Sequence, residues 1–252
     1  MATWMGHLRA AEKLLEYYPD LDPAAFAYGS LAPDFGRPLG DNKFSPPKEI
    51  SHRIVGTWDK ELVHDLAFYR DYMLDLKMED GKERYSFLVG YFFHLVMDGL
   101  WSAWIGRACK RDFAAMLAEM GDKAWWEMKD DWYGLDVQYA RANQDSLFWT
   151  VVMDFKDLPL FLDFQDKPAV DEQVKRIQKF NSDPPVELAE RVDFPYLNAD
   201  TMARYIEDSV IFLLEYWALL QEGIPDGVDS FRELFPEERF TPYEGPLGDE
   251  RG

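Results

Sequence analysis

The chain has 252 residues, enough for one large domain that hides roughly 70–75% of its unfolded surface. Aromatic residues make up 16% of it, which excludes an intrinsically disordered chain, and a net charge of −20 disfavours partners held through bulk phosphate, nucleic acid above all. Cys109 is the only cysteine, so neither an internal disulfide nor a thiolate zinc cage can form.

Helical periodicity dominates from the start. "HLRAAEKLLEYY" (7–18) reads as a helix that stops at Pro19, with no basic n-region or apolar run of the signal-peptide kind before it. "DPAAFAYGSLA" (22–32) has Asp22 as its N-cap and Pro23 at its first position. Residues 33–51, "PDFGRPLGDNKFSPPKEIS", are rich in proline and are expected to form an ordered, functional loop. Helices follow over 59–77 and 82–108, the latter apolar on most faces and therefore central.

Two more helices are expected in "KRDFAAMLAEM" and "DKAWWEMKDDWYGLDVQYARANQ". "SLFWTVVMDF" (146–155) is ambiguous in period and is assigned helix by context. Residues 168–182 and 198–223 are helical, the second capped by Asn198 and ended by Gly223, and the tail from Ile224 is largely irregular. The pattern predicts an all-α fold: a single multi-helix domain over 1–252, built around the 82–108 helix. No segment has the uninterrupted apolar length of a membrane span, and a cytoplasmic protein is expected. Nothing in the pattern specifies an oligomeric state.

His94 and Asp98 in "YFFHLVMDGLW" are one helical turn apart on one face. A buried carboxylate needs a partner or a metal, and a simple His–Asp hydrogen bond would satisfy both groups. Other residues of the same type precede them: His7 opens the first helix, Asp34 follows the second in "LAPDF", and His52 closes the long loop in "KEISH". Neutral imidazole and carboxylate are the donors zinc prefers, and a two-ion hydrolytic site needs a bridging carboxylate.

The order His7, "APD", "SPPKEISH" and "LVGYFFHLVMDGLW" resembles the zinc-dependent phospholipase C family, whose superfamily includes the single-strand-specific zinc nucleases. "HLRAAEKLL" and "FAYGSLAPD" look like its small bacterial members. The resemblance implies an all-helical, zinc-dependent hydrolase in which a metal-activated water cleaves a phosphodiester. It implies Asp34, His52, His94 and Asp98 as ligands of one ion, and Asp98 bridging to a second held by His7. Asp34 would double as a catalytic base or a supporting group beside the ligands. Secreted members add their mature N-terminal amine, for which the internal Trp4 is no counterpart. The family's third ion uses later histidines, and none follows His94 here, so one or two zinc ions are expected. A small phosphodiester or phospholipid head group is the expected substrate, with Tyr28, Phe35, Phe44 and Trp101 at the rim of its pocket.

Two other readings stand beside this one. "VHDL" resembles an HD-type metal-dependent phosphohydrolase motif that would use His52, His64, Asp65 and Asp98. Alternatively, the helical scaffold keeps a metal but no catalysis. Glu207 and Asp208 could supply late carboxylates but are read as a solvated face. Cys109 is read as structural.

Overall fold

The computed structural model describes residues 2–40, 43–54 and 63–249. The fold is all-α, with one small hairpin. Thr3 caps α1 (Trp4–Tyr17), its hydroxyl accepting from the Gly6 amide. Asp22 does the same at α2 (Pro23–Leu31), accepting from Ala25. The 33–51 segment is more structured than a loop. A 3₁₀ turn over Ala32–Asp34 leads into β1 (Arg37–Gly40), which pairs antiparallel with β2 (Lys43–Ser45), and α3 (Lys48–Ser51) ends just before His52. The expected 59–77 helix is shorter where it is described: only α4 (Asp65–Tyr72) is helical, the chain turning after it over 73–75, and residues 55–62 lie outside the described residues.

The central helix α5 (Lys82–Trp101) is buried without interruption from Ser86 to Trp101. It runs on through a π-helical stretch, Ser102–Gly106, into α6 (Arg107–Asp112). By length and composition Lys82–Asp112 could also span a bilayer, yet 94% of its most apolar window is buried within the molecule. Around it stand α7 (Ala114–Met120), α8 (Asp122–Ala142), α9 (Leu147–Thr150), α10 (Lys167–Ser182), α11 (Val186–Ala189) and α12 (Ala199–Glu222). The ambiguous 146–155 segment is α9 followed by a 3₁₀ turn. The tail has only short 3₁₀ turns after Ile224, but it is packed: Phe231, Phe240, Tyr243 and Leu247 are buried, and the Tyr243 amide donates to Trp104 O. Aromatic side chains, absent any regular hydrogen-bond ladder, fix it in place.

Helices α2 and α5 approach each other very closely. A Cβ on Gly29 would lie 2.0 Å from Phe87 O, and one on Gly90 would lie 2.3 Å from Phe26 O. Two glycines facing backbone carbonyls therefore let these helices touch main chain to main chain. That contact places the end of α2 beside His94.

Candidate metal centre

The structure brings His7, Asp34, His52, His94 and Asp98 into one cluster. The donor atoms of His7, His94 and Asp98 lie within 4.8 Å of one another, and so do those of Asp34, His52 and His94. Four of the five residues are buried to 1% or less, and Asp34 is the most exposed at 8%.

The five donors come from four places, α5 carrying both His94 and Asp98. α1 carries His7, whose ring stacks on His94 with centroids 3.8 Å apart. Thr3, besides capping this helix, donates from its hydroxyl to the buried Asp136 carboxylate at 2.7 Å, which ties α1 to α8. Ser30 O, presented by the α2–α5 crossing, accepts from His94 Nδ1 at 2.8 Å. This fixes the proton on Nδ1 and turns the lone pair of Nε2 toward the cluster. The His52 Nδ1 lies 2.9 Å from Ser51 Oγ, and Tyr91 OH anchors the same turn through Ser51 O at 2.6 Å.

Asp98 joins the two halves. Oδ1 accepts from the Ala2 backbone nitrogen at 3.1 Å and lies 3.6 Å from His7 Nε2. Oδ2 faces the other way, 3.6 Å from both His52 Nε2 and His94 Nε2. Neighbouring ligands on a tetrahedral zinc with bonds near 2.05 Å stand about 3.3 Å apart. These separations are too long for hydrogen bonds and near that ligand–ligand spacing. His7 Nδ1 and Nε2 and His94 Nε2 are buried and make no hydrogen bond among the described residues. Buried polar atoms left in this way are what a bound ion would satisfy, so the residues fit zinc.

Burial holds His7 at a pKa of about 4, with His94 beside it as the next cause, so its lone pair is free at neutral pH. Burial alone would raise the Asp34 carboxyl, but the Lys48 ammonium and the imidazoles of His52 and His94 hold it well below the usual range. Lys48 is 6% exposed, and its Nζ lies 2.9 Å from Asp34 Oδ1 and 3.2 Å from His52 Nε2.

The His7 shift gives a pH prediction for metal-free protein. Between about pH 6.5 and pH 4 the unfolded imidazole binds a proton that the folded one refuses. Stability contributed by the neutral ring is therefore whole above pH 6.5 and is lost as pH falls through 4, about 3 kcal/mol in all. Denaturant unfolding in chelator should show this loss in wild type and a smaller slope in His7→Phe, which keeps the stack but cannot titrate.

The HD-type arrangement is not assembled among the described residues. Asp65 is fully buried but engaged elsewhere, accepting from Tyr216 OH at 2.6 Å and the Phe231 amide at 3.0 Å. The side chain of His64 is 37% exposed and faces Asp229. The expected rim also needs correction. Tyr28, Phe35 and Trp101 are core residues. Trp101 is wedged between Trp132 and Tyr205, and the Tyr28 hydroxyl is taken by Pro159 O and Gln165. Only Phe44 stands near the cluster, its ring 5.1 Å from Lys48 Nζ. Glu207 is exposed near Lys13, and Asp208 accepts from Tyr243. Cys109 is buried and its thiol is pushed up to about 12, so it is inert.

Sequence reasoning missed Lys48, Ser30, Ser51, Thr3 and Asp136. Lys48 alone left a signal, since "KEISH" puts it four residues before His52, one helical turn away.

The sequence model of zinc-dependent phospholipase C matches residues 6–101. Over that span the chain is similar to the zinc-dependent phospholipase C family. All five clustered donors fall inside the matched segment, which ends at Trp101, the last residue of α5. No curated protein and no solved structure matches the chain. The family match and the donor set together support a metal cofactor.

Proposed function

We propose that the chain is a zinc-dependent phosphodiester hydrolase of the phospholipase C kind. The observation that carries this reading is Asp98, whose two oxygens face separate imidazoles at distances suited to shared metal ligands. Asp34, His52, His94 and Asp98 would hold one ion, and His7 with Asp98 a second. Bound zinc supplies a Lewis acid and lowers the pKa of a water toward neutrality.

The chain's own groups do the rest. Ser30 O sets the tautomer of His94, and the Ser51 hydroxyl orients the His52 ring, so that both Nε2 atoms face inward. Asp34 lies at the more open side of the cluster, where it can take a proton from an attacking water. Burial of the remaining donors keeps bulk water from competing for them. The strong negative charge of the chain favours a small phosphodiester or a phospholipid head group over a long polyanion.

The non-catalytic scaffold has one observation in its favour, namely that the Lys48 ammonium already sits on two of the donors. Elemental analysis and turnover of bis(4-nitrophenyl) phosphate separate the readings. The hydrolase reading requires at least one zinc per chain and turnover that chelator abolishes and zinc restores. Bound zinc with no turnover on any phosphodiester favours the scaffold. In either case chelator should lower the melting temperature by about 5–10 °C, because the ion binds only the folded cluster. An unchanged melt, with metal loss verified, would remove the buried site from consideration.

A further inference from the structure

We propose that Lys48 binds a phosphoryl oxygen of the substrate, making the ligand of this centre an anionic phosphate ester. The inference rests on the metal-dependent reading above and adds a residue to it. Lys48 is the first residue of α3, and its ammonium is buried against Asp34, His52 and the ring of Phe44. Its two polar contacts among the described residues are the Asp34 oxygen and the His52 nitrogen that a zinc ion would claim.

The ammonium donates to lone pairs on Asp34 and His52 that a bound metal would also draw on. Once an ion draws on Asp34 and His52, Lys48 loses much of its compensation. A buried ammonium without an anionic partner is costly. Charge balance points the same way. The two carboxylates, Asp34 and Asp98, neutralise one divalent ion, and the imidazoles are neutral when ligating. Lys48 then leaves a one-ion cluster with one positive charge in excess, and a second ion only adds to that excess, so with either one or two ions the site calls for an anionic ligand. It also lies on the side of Asp34, the most exposed of the five donors, where a ligand can reach it. A hydrogen bond from a charged ammonium to a phosphoryl oxygen is of the strong, charge-assisted kind.

The test uses the full chain, loaded with zinc and desalted, as wild type, Lys48→Met and Lys48→Gln. Zinc content is read by elemental analysis, and binding of inorganic phosphate by calorimetry. Lys48→Gln keeps polarity and comparable length, so it guards against a packing defect in Lys48→Met. The expected result is wild-type zinc content in both variants, with phosphate affinity lowered at least about tenfold. Affinity within twofold of wild type at equal zinc content overturns the proposal. Lower zinc content in both variants also overturns it, since Lys48 would then serve the metal site and not the ligand. If wild type itself takes up no zinc, the metal-dependent reading fails, and this inference falls with it.

Discussion

Asp98→Asn should strip at least one zinc from each chain and take phosphodiester turnover to background. The bridging position demands two anionic oxygens, and an amide offers one weak acceptor and one donor. The Asp98 oxygens divide between His7 and the His52–His94 pair. Replacing Oδ2 with an amide nitrogen would aim hydrogens at two imidazole nitrogens and remove a ligand there. Replacing Oδ1 would instead set a donor against the Ala2 amide, which now donates to it. Neither orientation preserves both halves of the cluster.

The control is His64→Ala, which should leave zinc and turnover unchanged and shift stability by no more than about 0.5 kcal/mol. Its side chain is 37% exposed and faces Asp229, while only its amide approaches the His52 turn, donating to Arg53 O. Wild-type zinc content in Asp98→Asn would defeat the bridging assignment. Loss of zinc in His64→Ala, with helicity intact by circular dichroism, would return the site to the α4 region.

The second large effect is expected at Gly90. In Gly90→Ala the new Cβ would stand 2.3 Å from Phe26 O and 2.9 Å from Ser30 N. These obstacles are backbone atoms of α2, so no rotamer change relieves them. The two helices must part, which opens packing between Phe26 and Phe93 along the core. A loss of about 3 kcal/mol or more is expected, at the upper end of what overpacking costs.

Function should suffer beyond stability. Ser30 O is the acceptor that orients His94, so separation of α2 from α5 also frees the imidazole to turn. Zinc affinity should fall even in conditions where the variant stays folded. Chemical denaturation and zinc titration of Gly90→Ala and Gly29→Ala measure both effects. A midpoint shift worth less than about 0.5 kcal/mol in either variant would show that the crossing is not as tight as described.

Several features of this protein were legible in the sequence because they are local. Helix caps at Asp22 and Asn198 are set by side chains that bond amides three residues on, and the prolines and glycines beside them mark the ends. The turn-spaced His94 and Asp98 must share a face once the segment is helical. The donor types, imidazole and carboxylate, limit the chemistry to hard or borderline metals before any coordinates are known.

Only the tertiary structure decided which donors meet. His7 and His94 are far apart in sequence, and their stacking depends on how α1 packs beside α5. Asp65 looks as able to bind metal as Asp34 when read along the chain. Burial against Tyr216 and Phe231 takes it out of play, while Asp34 is delivered to His52 by the turn after α2. Trp101 and Tyr28, plausible as rim residues by type, are core because neighbouring helices cover them. Lys48 acquired its meaning only when the hairpin and α3 carried its ammonium onto Asp34 and His52. Periodicity records which face a residue takes on its own element. The partner across that face is chosen by long-range packing, and here the contact of α2 and α5 at two glycines sets the distance at which the donors can meet.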